Sequence, residues 1–528
     1  MGYLNGVIAG IRPGAVGLMV ALVLGFAAPP GRTYYVSRDG DDHGDGSLKH
    51  PWRSTEPVNA YPFGPGDQVL FHGGHSFAGN IVFDRRRANG ITLSSYAGGR
   101  ATIDAGIGTG ISVRDLADIT IEDLVVRGTG ASNRGTGIDV RNDAAPEYRL
   151  DWVRIENVEV SGFRDAGIYV GGTLRPDRPP QRGFRHVRIN RCNAHENVYY
   201  GIRVSGPFDL RATGYSNEDV VISDSVAHDN PGDPEYRDKH SGSGIYLENV
   251  TDGRIERCVA YRNGSANGSK GGGPVGIWAH NATGVTITSC LSYRNRTGSA
   301  RDGGGFDFDG GVSHAVMEHN LSYENDGPGY LVWNYVYSPH SMEHIVVRDN
   351  CSVSDAQHHG YGAIHIGSGQ PPLRDVLIYH NTVIAAGSGD TARTAVVSGA
   401  FGGPLRFWNN LFVGARQRPL IELSAAEADV RFEGNAYWAT DGVFAILDRG
   451  RRIDSLEEWR RIAGQEMRDG ESLGLWGNPR LTTDEKVPTC RLAPDSPLIG
   501  RALDLRLRFG VDPGESLKMI GVGQDRRY

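Results

Sequence analysis

One short phrase recurs along the chain and limits what it can fold into. It reads "GISV" at 110, "GIDV" at 137, "GIYV" at 167, "GIRV" at 201, "GIYL" at 244, "GIWA" at 276 and "GFDF" at 305, then degrades to "GYLV" at 329 and "AIHI" at 363. A second β-rich phrase follows each, as in "RIERCVAY", "TITSCLSY" and "VMEHNLSY". Aligning these second phrases gives a line of small or amide residues: Asp123, Asn157, Cys192, Ser225, Cys258, Cys290, Asn320, Asn350, Asn381, Asn410 and Asn435, with neighbours 25–35 residues apart. Side chains of this kind at one corner of every coil can hydrogen-bond the turn and one another. Coils of this length with two or three short strands describe a parallel β-helix. The period-two alternation excludes an amphipathic helical repeat. A propeller would need a longer unit, about 40–45 residues.

The expected fold is therefore all-β, a single-stranded parallel β-helix (solenoid) with a short C-terminal helix and an extended tail. Residues 32–100 form an N-terminal cap and first strands, 101–440 the coils, and 441–528 the helix and the tail packing on the solenoid. The helix is "SLEEWRRIAGQEM" (455–467), with Ser455 as N-cap and Glu457 and Glu458 in the first turn. Glycine, 74 of 528 residues, suits a turn-rich β protein. With a net charge of −7, no basic surface points to nucleic acid. The five cysteines show no metal-ligand spacing. Cys258 and Cys290 should lie on adjacent rungs, as buried thiols in place of Asn or, alternatively, as a disulfide.

The N-terminus carries an apolar stretch from Gly17 to Ala28 after Arg12, then small residues and prolines. This is the pattern of a secretory signal peptide, assigned to residues 1–31, with an uncleaved anchor as the alternative. No later segment is apolar enough to span a bilayer. The expectation is a secreted or periplasmic bacterial protein, monomeric, with no membrane partner once the signal is removed.

The opening "YYVSRDGDDHGDGSLKHPW", the phrase "PGDQVLFHGG", the coil repeats and the ending "LAPDSPLIGRA" resemble secreted bacterial right-handed β-helix proteins of the pectate-lyase-like superfamily. The resemblance implies right-handed coils and action on polysaccharides. It leaves lyases, glycoside hydrolases and uronate epimerases open. It also implies an active site on the outer face of one parallel sheet, flanked by the loops that enter it. Locally, "GFDFD" is similar to the family 9 pectate lyase motif, but Asp309 stands where that motif carries its catalytic Lys. Of its calcium turn only Asp326 is retained. That lyase activity and its calcium are therefore not carried over.

In each "G-I-x-x-x" strand the first and third residues after Gly should point inward and the second and fourth outward. The outward positions then place Tyr246, Glu248, Trp278, His280, Asp307 and Asp309 in one patch of two columns and three rungs, with Phe306 and Phe308 inside. Aromatic faces beside carboxylates suit a sugar ring. Arg203, His240, Lys270 and Asp302, from the same column and the entering loops, are further substrate-binding candidates, beside Lys239 and Arg301. The line His195, His228, Tyr261, Tyr293 and Tyr323 is read as a stacking column rather than a metal site.

Asp307 and Asp309 are the expected acid/base pair of a glycoside hydrolase that requires no cofactor. Glu248 and His280 would orient the sugar or share the proton work, and Tyr246 and Trp278 would be stacking platforms. Three alternatives stay open. A polysaccharide lyase would use Lys239, Lys270 or Arg203 as base, with Ca²⁺ held by the Asp cluster. A uronate epimerase would trade protons between His280 and a Tyr. A non-catalytic glycan-binding surface protein would use the patch for affinity alone.

Overall fold

The computed structural model describes residues 31–521, apart from 146, 173–181, 209, 211–213, 336, 386–392, 416–417, 426–428, 483–487 and 513–519. Residues 1–31, expected to be a signal peptide, lie outside the described residues except for Gly31. Each coil contributes a strand to each of three parallel sheets. In one coil these are Ser243–Glu248, Val250–Glu256 and Val259–Tyr261; in the next, Val275–His280, Thr286–Thr288 and Leu291–Tyr293. Each strand pairs in parallel with its equivalent one coil on. This parallel stacking already joins Thr33–Val36 to Gln68–His72 and continues to Ile446–Asp448. Among the described residues no helix is long and apolar enough to cross a membrane.

The core is the apolar half of the period-two pattern. Phe306 and Phe308 are fully buried, and Phe306 stacks on Tyr330 at 5.3 Å. The amide ladder runs as expected over most of its length: Asn320, Asn350 and Asn381 each give both N–H and Nδ2 to the Oδ1 of the next Asn. At its C-terminal end the ladder stops on Glu466. That carboxylate accepts from Gly434 N, Asn435 N, Asn435 Nδ2 and the Tyr437 hydroxyl.

Two members of the aligned line shift by one residue. Strand register sets Val158, not Asn157, level with Cys192, and Leu124, not Asp123, level with Val158. Asp123 and Asn157 instead occupy the left-handed corner (φ 53° and 52°), where later coils have Arg191, Asp224 and Arg257. Asn and Asp adopt that conformation readily, so their small polar character was shared by two adjacent positions.

A second ladder went unread. Asn197 gives its N–H to Asn230 Oδ1, and Asn230, Asn263, Asn295 and Asn325 each give N–H and Nδ2 to the next member, ending on Asp355. It explains the repeated glycine of the "G-I" phrase. A Cβ on Gly276 would come 2.1 Å from Ser292 Oγ and 2.7 Å from Asn295 Nδ2. Gly276→Ala is expected to cost about 1–3 kcal/mol, through overpacking of a buried ladder. A lowered melting temperature would show it, and an unchanged one would contradict this account of the glycine.

Cys192, Cys258 and Cys290 are buried free thiols, and Cys258 N–H faces Cys290 Sγ at 3.4 Å. The disulfide is between Cys351 on the third sheet and Cys490 in the tail. Leu492, Leu498 and Ile520 pack against Leu411, Val413 and Ala436. The helix spans Leu456–Ala463, with Ser455 Oγ accepting from Glu458 N–H. It ends four residues earlier than expected because Gly464 turns left-handed (φ 62°), and Met467 begins a short hairpin. Trp459 is fully buried against Phe432 and Tyr437, so this helix covers the last coil. His195, His228, Tyr261, Tyr293 and Tyr323 do stack, at centroid spacings of 4.7–5.0 Å.

Candidate active site

The outer face of the first sheet carries the anticipated columns. One reads Tyr169, Arg203, Tyr246, Trp278, Asp307, Leu331 and His365 in register; beside it run Glu248, His280, Asp309 and Trp333. The six-residue patch is therefore contiguous along the sheet. It is not one open surface, because its middle is covered.

Tyr246 and Trp278 are each only 3% exposed. They stack on one another at 4.0 Å, Tyr200 takes the far face of the pair at 5.6 Å from Tyr246, and His240 sits edge-on to Trp278 at 4.9 Å. These rings are consumed by each other and cannot serve as sugar platforms. His240 closes over them; burial and the Arg203 charge hold its imidazole down at about 3, so it is neutral.

The covered middle separates two cavities. On its N-terminal side a pocket of about 420 Å³ is lined by Arg141, Tyr169, Arg203, Phe208, Lys239 and Glu248, among others. Arg203 gives a hydrogen bond to Glu248 at 3.1 Å and lies over Tyr200 at 4.7 Å. Burial would raise the Glu248 carboxyl, but His280 and Arg203 outweigh it and hold it down at about 2. Glu248 is thus a fixed anion in a neighbouring pocket, not part of the Asp cleft.

His280 lies in the dividing layer. Its Nδ1 is 3.2 Å from the Tyr246 hydroxyl and 3.4 Å from Glu248 Oε1, its Nε2 meets the Tyr335 hydroxyl, and Phe208 covers its face at 5.6 Å.

On the C-terminal side a cleft of about 500 Å³ contains Asp307 and Asp309. Its floor continues over Leu331, Trp333, His365 and Ser398, and Tyr335, Arg301 and Tyr361 stand around it. Asp307 is 3% exposed, and its Oδ1 has no hydrogen-bond partner among the described residues. Burial first, then the charges of Asp309 and Asp302, raise its carboxyl well above the usual range. Asp309 is half-buried and accepts Gly310 N–H at 2.8 Å. Burial raises it to about 6, with His280 and the Gly310 N–H pulling the other way. One strand thus carries two carboxyls of different proton affinity, side by side on one face.

Asp302 lines the cleft and also braces it. Its oxygens accept Gly273 N–H at 2.6 Å and the Tyr361 hydroxyl at 2.8 Å, joining the loops on both sides of the cleft. Lys270 is exposed and does not line the cleft, although the neighbouring Gly271 and Gly272 do. Trp333 and Tyr335 were missed. Carrying the same alternation one coil further, through the degraded phrase "GYLV", puts Leu331 and Trp333 outward. Tyr335 lies beyond the strand, where no periodicity reaches. Among the described residues no group of three or more His, Cys, Asp or Glu side chains is placed to hold a metal ion.

No curated protein matches this sequence. Among solved structures, the chain is similar to the GH136 lacto-N-biosidase from Eubacterium ramulus, at 17% identity over 70% of this chain and 68% of that one (TM-score 0.49). It is also similar to pectate lyase Pel9A, at 15% identity over 94% and 97% (TM-score 0.44). A third is XylC in complex with xylose, at 11% identity over 86% and 88% (TM-score 0.48). Residues 147–341 match the family model of the right handed beta helix region. The coils that present the Asp pair lie within that match, and the fold class is a right-handed parallel β-helix.

Proposed function

We propose that this protein is a secreted or periplasmic glycoside hydrolase acting on a polysaccharide or oligosaccharide, with Asp307 as general acid and Asp309 as general base. The observation that carries this is two carboxyls side by side in one cleft, Asp307 buried with an unpartnered oxygen and Asp309 half-buried against Gly310 N–H. Glycoside hydrolysis needs one carboxyl protonated and one ionised. Asp307, buried beside two other acids, keeps its proton and gives it to the glycosidic oxygen as the C–O bond breaks. Asp309, ionised above about pH 6, takes a proton from the water that attacks the anomeric carbon. Two residues along a strand advance about 6.6 Å between Cα atoms, which leans towards the wider carboxyl spacing that leaves room for such a water and inverts the anomeric centre. Trp333 supplies the half-open aromatic surface that Trp278 cannot. The apolar N-terminal stretch supports export.

The other readings draw on residues placed differently. Of the candidate lyase bases, Arg203 and Lys239 line the neighbouring pocket and Lys270 lines neither. For the epimerase pair, His280 is bonded to Tyr246 through Nδ1 and to Tyr335 through Nε2 within the dividing layer, and of these only Tyr335 lines the Asp cleft.

A pH–rate profile tests the assignment. Activity is expected to rise through about pH 6 as Asp309 ionises, and to fall at higher pH as Asp307 loses its proton. Asp309→Asn should remove the acid limb from whatever activity remains. An unchanged acid limb would overturn the role given to Asp309.

A further inference from the structure

We infer that the Asp pair cuts at chain ends, one unit at a time, because its cleft is closed on one side directly beyond the pair. This rests on the hydrolase reading and adds to it the side of the bond on which a chain can extend. Towards the N-terminus, the next rung pairs Trp278 with Asp307 and His280 with Asp309. That rung offers no open surface. Trp278 is sandwiched by Tyr246 and the edge of His240, and His280 is covered by Phe208.

The cover is fixed to the solenoid. Ser241 N–H donates to Asn267 Oδ1 at 3.0 Å, Asp233 N–H donates to Ser241 Oγ at 2.9 Å, and Gly242 N–H donates to the Tyr199 carbonyl at 2.8 Å. The pocket beyond this layer shares no lining residue with the Asp cleft. A glycan threaded past the pair in both directions would have to displace the whole layer.

Towards the C-terminus the cleft continues over the rungs of Trp333, His365 and Ser398, where Trp333 and Ser398 are half-exposed. Three ladder steps of about 4.8 Å give roughly 14 Å of floor, enough for a short run of sugar rings. One terminal sugar therefore sits over the Asp pair against the layer, and the rest of the chain lies over Trp333. His240 and Trp278 are the residues that set this specificity. They touch no reacting atom and act by exclusion.

The test is a product time course on oligomers of xylose, galactose, mannose and galacturonic acid, together with the p-nitrophenyl monoglycosides of the same sugars. The expected result is a monosaccharide from the earliest time point, with the parent shortened by one unit at a time and the matching aryl glycoside cleaved. Intermediate oligomers at early times, with their reducing ends, would overturn the chain-end inference and leave the hydrolase reading standing. Unsaturated products, or no cleavage of any member, would overturn both. In His240→Ala the ratio of monomer to longer products should fall by about 10-fold or more as the layer opens. If that variant does not fold, the wild-type product ladder still decides.

Discussion

Asp309→Asn is expected to lower kcat by about 10²–10⁴-fold while leaving the melting temperature near that of the wild type. The substitution keeps the size of the side chain and an acceptor for Gly310 N–H, but no longer takes a proton from water. Asp307→Asn should cost a similar factor for the opposite reason, since the amide has no proton to give. The two losses should not add, because each removes one half of a single proton-transfer pair. A substrate with a good leaving group should partly restore Asp307→Asn and not Asp309→Asn. Equal behaviour of the two variants on such a substrate would contradict the division of roles.

The second large effect lies far from the cleft. Glu466→Ala is expected to destabilise the protein by about 3–5 kcal/mol, measured by chemical denaturation near pH 5. The side chain ends the amide ladder, and removing it strands buried donors on Gly434, Asn435 and Tyr437. Burial raises this carboxyl from 4.5 to about 7. The folded chain therefore binds the proton more tightly than the unfolded chain. The stabilisation from Glu466 is fully present below about pH 4.5 and is lost as pH rises through about 7. The gap between wild type and variant should narrow over that window. A gap that widened with pH would contradict the assignment.

The architecture was legible because a solenoid repeats its physical requirements once per coil. The "G-I-x-x-x" phrase supplied the alternation, and thereby the register of Tyr246, Trp278 and Asp307 on successive rungs. The second amide ladder was hidden because its members, such as Asn263 and Asn295, also read as ordinary turn residues. What the alternation could not supply was cover. It predicts that Trp278 points away from the core, yet loops fold over that face and bury it again. The Cys351–Cys490 bridge escaped for a related reason: Cys490 belongs to no coil, so no register line reaches it. Residues set by a strand were predictable here, and residues set by a loop, His240 and Tyr335 among them, needed the three-dimensional structure.

The most direct test of the central claim is to incubate the purified protein, and Asp309→Asn beside it, with neutral and uronic polysaccharides, following new reducing ends and unsaturated-uronate absorbance together. The account predicts reducing ends without that absorbance from the wild type, and their near-complete loss in Asp309→Asn. Unsaturated products, or equal release of reducing ends by the variant, would contradict it.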